Sequence, residues 1–340
     1  MTAIRVVVVD DSATMRALIA ATLRRDPDLQ VVAEAADPFE ARAAIKAHDP
    51  HVVTLDVEMP GMNGLDFLER IMRLRPMPVV MVSSLTQAGA EATVQALAIG
   101  AVDCVAKPDS SGRGFADLPA RVRAAAGARV GQRWAPPAPV PGPFGSERRL
   151  IAIGASTGGV EALHVVLGAL PADAPPVIVT QHMPANFLSA FAARLNRHCA
   201  MTVLSAEDGL PIRPGQVYVA GGGYHLEVTG SRDWRCRTVE GPPVNGHRPS
   251  VDVMLQSAAR AAGARGIGVI LTGMGKDGAA GLLAMRRAGA RTLAQDEATS
   301  VVHGMPRVAW EIGAAERLRP LNAIARDILD LCRARLPETA

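Results

Sequence analysis

The chain has 340 residues, of which 49% are hydrophobic and only 3% aromatic, so two cores built from Ala, Val, Leu and Ile are expected. A formal net charge of +3 without a dense Lys/Arg block argues against a nucleic-acid partner. Cys104, Cys199, Cys236 and Cys332 form neither a CxxC pair nor a His/Cys metal spacing, no apolar run approaches the roughly 18 residues of a membrane span, and no charged-then-apolar leader opens the chain, which together predict a cytoplasmic protein with reduced thiols and no membrane insertion.

Apolar runs at 4–9, 31–35, 52–55, 79–83 and 102–106 read as strands, alternating with helical stretches such as 13–25 and 38–47. This alternation predicts a doubly wound parallel sheet. Asp10 and Asp11 end the first strand and Asp56 the third, so the sheet gathers three carboxylates on one edge. Such carboxylates repel one another unless a hard cation joins them, and Mg²⁺ is the expected one. Ser83 ends the next strand, and Lys107 follows the last. A hydroxyl and an ammonium beside an Asp–cation site suit phosphoryl transfer to a carboxylate. Helix capping by Asp10 and Asp11, or a loop role for Asp56, explains each residue singly but not their joint placement.

On these residues, 1–125 resemble the response-regulator receiver domains, which implies a flavodoxin-like fold. The resemblance implies that Asp56 accepts a phosphoryl group from a histidine kinase. It also implies that Asp10, Asp11, Asp56 and the backbone carbonyl of Glu58 hold Mg²⁺, with Ser83 as switch hydroxyl and Lys107 as phosphate contact.

Residues 126–146 are expected to form a linker, since QRWAPPAPVPGPFGS (132–146) is dense in Pro and Gly. Strand runs then resume at 150–153, 177–180, 217–220 and 266–271, predicting a second α/β domain over 147–340. Ser156 lies on a Gly-rich strand-to-helix turn, Gly154-Ala155-Ser156-Thr157-Gly158-Gly159, a setting that exposes a nucleophile beside helix amides. His182 follows the strand at 177–180, and a histidine is the residue type best suited to take and return a serine proton as a general base. Asp277 follows the strand at 266–271 and could accept from His182 Nδ1–H. Gly273, Gly275 and Gly278 match GxGxxG, but they fall late in the domain with no acidic residue closing a following strand, so nucleotide binding is disfavoured. The order Ser…His…Asp also differs from the Ser…Asp…His of α/β-hydrolases.

IGASTGG (153–159), TQHMP (180–184), GPPVNGHRPSVD (241–252) and LTGMGKDGAAG (271–281) make the whole chain similar to the CheB family of protein-glutamate methylesterases. The resemblance implies a Rossmann-like, mostly parallel methylesterase domain, with Ser156 as nucleophile, His182 as base and acid, and Asp277 as orienting carboxylate. The Met274 amide would receive the oxyanion. Implied substrates are glutamate 5-methyl esters on methyl-accepting chemotaxis receptors, with deamidation of receptor glutamines beside it. The ester step would need no cofactor, and the chain would work as a monomer regulated by phosphorylation. Segment 241–252 would form a rim meeting the receptor helix, with His247 outside the chemistry. A DNA-binding response regulator and a scaffold without esterase activity are the alternatives. The first is disfavoured because 147–340 is long for a helix-turn-helix module, the second because Ser156, His182 and Asp277 are all present.

Overall fold

The computed structural model describes residues 3–59, 63–84, 86–108, 115, 117–131 and 149–334. The Pro/Gly-rich stretch 132–146 lies outside them. The chain divides into two compact units, 1–133 and 134–340, each described by itself.

In the first unit the order is β1 (Ile4–Val9), α1 (Ala13–Leu23), β2 (Leu29–Ala35), α2 (Pro38–His48), β3 (Val52–Asp56), α3 (Gly64–Leu74), β4 (Val79–Ser83), α4 (Gln87–Ile99), β5 (Asp103–Ala106) and α5 (Leu118–Ala126). The sheet is wholly parallel, in the order β2-β1-β3-β4-β5 of the flavodoxin-like fold. Val6 to Val9 and the whole of β3 and β4 are buried, because helices cover both faces and leave no polar side to alternate with. Local chemistry starts the helices. Asp37 Oδ1 accepts from the amides of Phe39 and Glu40, Pro38 begins α2, and Glu40 reaches back to the Ala36 amide at 2.8 Å.

The second unit runs β6 (Leu150–Ala155), α6 (Gly159–Gly168), β7 (Val177–Gln181), α7 (Ala185–His198), β8 (Thr202–Ser205), β9 (Gln216–Val219), β10 (His225–Thr229), β11 (Arg235–Val239) and α8 (Val251–Ala262). It continues with β12 (Gly266–Ile270), α9 (Ala279–Arg287), β13 (Arg291–Gln295), α10 (Met305–Glu311), β14 (Arg317–Arg319) and α11 (Leu321–Arg333). Its parallel sheet has the order β14-β13-β12-β6-β7-β9-β8, and β10-β11 form a separate antiparallel hairpin. The hairpin is tied to α8 by Val228 N donating to Ser257 Oγ at 2.9 Å and by Trp234 Nε1 donating to Ala261 O at 3.1 Å. Successive strands leave β6 in opposite directions, through β7 on one side and β12 on the other. The carboxyl ends of these three strands therefore flank the switch point, where open α/β sheets bind ligands. No helix among the described residues is long and apolar enough to cross a membrane.

Candidate active site

Register brings the three predicted residues of the second unit to one sheet edge. Gly154 pairs with Thr180 and Ile270, and Ala155 with Gln181, so Ser156 and His182 each stand one residue beyond a paired strand end. Backbone bonds lace the three turns: His182 N donates to Ala155 O at 3.0 Å, and Ser156 N to Thr272 O at 3.0 Å. Gln181 Nε2 adds a 2.9 Å bond to Ser156 O.

The glycines here are required by crowding. A Cβ on Gly154 would run into Val251 of α8, and one on Gly159 into Gln181 Oε1. At Gly273 a Cβ would lie 2.7 Å from Ser156 Cβ. Gly158, the N-cap of α6, has φ of 76°, which glycine adopts without strain. Two of the three GxGxxG glycines thus have a packing cause, while Gly275 has open space around it and a φ of 84°. Gly273 presses on Ser156, its amide is spent on Val302 O at 3.0 Å, and a Cβ on Gly278 would lie 2.6 Å from Val251 Cγ1.

His182 and Asp277 are 4% and 1% exposed and joined by a 2.8 Å hydrogen bond. The nitrogen involved is Nε2, not the Nδ1 expected from the sequence. Asp277 is pinned on the first turn of α8, where it meets the distal edge of the ring. An ionised carboxylate only accepts, so Nε2 carries the proton and Nδ1 presents a lone pair. Nδ1 is buried and has no hydrogen-bond partner, so Ser156 Oγ is not bonded to it in this structure.

Asp277 also accepts from Ser250 Oγ at 2.8 Å, Asn245 Nδ2 at 2.9 Å, Val251 N at 2.7 Å and Asp252 N at 3.2 Å. Burial alone would raise its pKa. The hydrogen bonds from His182, Asn245 and Val251 outweigh burial and hold the carboxyl well below the usual carboxylate range. The amides of a helix N-terminus favour negative charge in the same way.

Within 241–252, expected to form a receptor-facing rim, Pro242, Pro243, Asn245, Gly246 and Arg248 are exposed, whereas the end of the segment packs inward. Ser250 and Asp252 are buried beneath the site. Asp252 accepts from Gly281 N at 2.7 Å and Asn245 Nδ2 at 2.8 Å, and burial, against those donors, raises its pKa. His247, placed outside the chemistry by the sequence, stacks on His182 with centroids 3.6 Å apart and planes at 10°. Asn-Gly at 245–246 is a strong turn signal and Ser250 stands where a helix cap would, so a local signal existed for each, though not for their joint target. Met274 follows Gly273 and is half-buried; among the described residues nothing accepts from its amide.

In the first unit Asp10, Asp11 and Asp56 each offer an oxygen within 4.8 Å of the others. Lys107 Nζ lies 2.7 Å from Asp56 Oδ2 and 3.0 Å from Asp10 Oδ2. Burial, with the charge of Asp10 and against Lys107, pushes the Asp56 carboxyl up to about 6. Burial would lower the Lys107 pKa, but its bonds to Asp56 and Asp10 raise it. Three hard oxygens, one of them on a carboxyl that resists its own charge, fit a divalent cation. Glu58 N donates to Asp56 Oδ1 at 3.3 Å. Ser83 Oγ is fully buried and donates to Gly89 O at 3.2 Å, turned toward α4 rather than bonded to Asp56.

A phosphoacceptor-type sheet followed by a parallel-sheet domain with a buried His–Asp pair defines a response regulator with an enzymatic output. The sequence pattern of the CheB methylesterase domain matches residues 151–328, and that of the response regulator receiver domain matches 6–116. A protein-glutamate methylesterase/protein-glutamine glutaminase 1 of Caulobacter vibrioides is 59% identical over 98% of this chain and 100% of its own length. One of Rhizobium etli is 57% identical over 97% of each chain. Among solved structures, the Thermotoga maritima CheB methylesterase catalytic domain is 36% identical with a TM-score of 0.53, covering 54% of this chain and 99% of that one. The chain belongs to the CheB methylesterase family, joined to a receiver domain.

Proposed function

We propose that this protein hydrolyses glutamate 5-methyl esters on methyl-accepting chemotaxis receptors, and deamidates receptor glutamines, with Ser156 as nucleophile. The observation that carries the reading is the buried His182–Asp277 pair, whose remaining ring nitrogen, Nδ1, is unpartnered beside the strand end that bears Ser156. Nδ1 takes the Ser156 proton as Oγ attacks the side-chain carbonyl carbon. The Met274 amide receives the oxyanion. His182 returns the proton to the departing methanol or ammonia, leaving an acyl-enzyme, and then activates the water that releases glutamate. Asp277 holds Nε2–H throughout and stabilises the imidazolium.

In the receiver, Asp56 accepts a phosphoryl group from the histidine kinase of the pathway. Mg²⁺, held by Asp10, Asp11, Asp56 and the Glu58 carbonyl, would supply positive charge to the phosphoryl oxygens. Lys107 neutralises the same oxygens, and Ser83 turns from Gly89 O to the phosphoryl group. We place the protein in the cytoplasm as a monomer, with the receptors' cytoplasmic segments as substrate.

The test is methanol release from methyl-labelled receptor membranes. Ser156→Ala is expected to lower kcat by about 10³-fold or more. Turnover persisting in that variant would refute the nucleophile.

A further inference from the structure

Segment 241–250 is built more firmly than an exposed loop requires. Val244 and His247 exchange two backbone hydrogen bonds of 3.0 Å each across Asn245 and Gly246, whose φ values of 52° and 81° are those of a type I′ turn. One imidazole ties the ends together. His225 Nδ1 accepts from the Ser250 amide at 3.2 Å, which leaves Nε2–H to donate to Pro242 O at 3.0 Å. Arg248 Nη1 adds a 2.7 Å bond to Gly241 O. At the tip, the single nitrogen Asn245 Nδ2 spans Asp252 and Asp277 at 2.8 and 2.9 Å. This scaffold lays the His247 ring almost parallel on the His182 ring.

A lone hydrogen bond from Nε2 to Asp277 leaves the His182 ring free to turn about that bond. A flat partner in van der Waals contact removes this freedom and so fixes the direction of the Nδ1 lone pair. We infer that His247 is a positioning residue for the hydrolytic reaction, holding the plane of His182 so that Nδ1 faces Ser156, and that Asn245 holds the turn that carries it. This rests on the reading of Ser156 and His182 as the reacting pair. The substrate is not touched by either residue in this scheme, so the effect belongs to kcat rather than KM.

The experiment measures methanol release by the whole chain with receptor membranes and a phosphodonor. His247→Ala is expected to lower kcat by about 10-fold or more with KM changed less than about twofold, because misdirected general bases lose rate steeply with small displacements. His247→Phe keeps a flat stacking partner and is expected to restore kcat to within about threefold of wild type. Asn245→Gly keeps the positive φ but deletes the bridging amide, and is expected to lower kcat in the same direction. Wild-type kcat in His247→Ala, or a His247→Phe variant no better than it, overturns the inference. Should His247→Ala fail to fold, an unchanged kcat in Asn245→Gly overturns it equally. A folded wild-type chain that releases no methanol overturns both this inference and the reading of Ser156.

Discussion

Asp277 and Asp56 are both almost fully buried carboxyls, 1% exposed each, yet their pKa values move in opposite directions. Asp277 has donors enough to outweigh burial. Its folded pKa is depressed, so its contribution to stability is present above the unfolded value of 3.8 and is lost as pH falls through the lower folded value. Asp277→Asn is therefore expected to destabilise the second unit at pH 7, with the difference from wild type shrinking as unfolding is measured below pH 4. It should also lower kcat by about 10³-fold, since an amide no longer fixes the Nε2–H tautomer. For Asp56 the sign reverses. A folded pKa near 6 against 3.8 unfolded means the charged form is disfavoured in the fold, so stability falls as pH rises from about 4 to 6. Asp56→Asn is expected to stabilise the receiver by about 1–3 kcal/mol at pH 8 and by little at pH 4, read from denaturant midpoints. Ser156 and His182 were legible as reactive residue types just past strand ends, Ser156 within a glycine-rich turn, and Asp277 as a carboxylate in the glycine-rich loop after β12. Asn245, Ser250 and Asp252 were not, because they act on another side chain, up to 32 residues away in sequence.

The strands around the site were legible because each is a buried apolar run between turn residues: β6, β7, β9 and β12 all lie where the hydrophobic pattern put them, within a residue or two at each end. The pattern gave no sign of β8, β10, β11, β13 and β14. β11 and β14 each carry two arginines at exposed or half-buried positions, and β13 begins with Arg291 and ends with Gln295, so none of the three shows a continuous apolar run. At this scale β6 and α8 make the critical contact. Gly154→Ala would push a methyl group into Val251, whose amide holds Asp277 at 2.7 Å. The substitution is expected to cost about 1–3 kcal/mol of stability, seen in the denaturant midpoint. It should also lower kcat, since α8 cannot retreat without drawing its first-turn amides off the carboxylate.

For the molecule as a whole, the two sites carry separable chemistry. The receiver holds a buried carboxylate beside a lysine, and the second unit holds a buried His–Asp pair one strand over from Ser156. A small-molecule phosphodonor with Mg²⁺ is expected to label Asp56 in the Ser156→Ala chain while methanol release stays absent. In the Asp56→Asn chain, methanol release is expected to lose its response to the phosphodonor. Labelling that disappears with Asp56 intact, or a response that survives its loss, would show that the two functions are not divided as proposed.

The placing of β12 beside β6 also sets a timetable for the newly made chain. Gly266 pairs with Leu150, so the strand that leads to Asp277 is inserted beside β6 long after β6 and β7 have been synthesised. Ser156 and His182 leave the ribosome well before Asp277, the carboxylate that His182 Nε2 meets in the finished fold. On the proposed mechanism, a chain whose synthesis has not reached residue 277 lacks the carboxylate that orients His182.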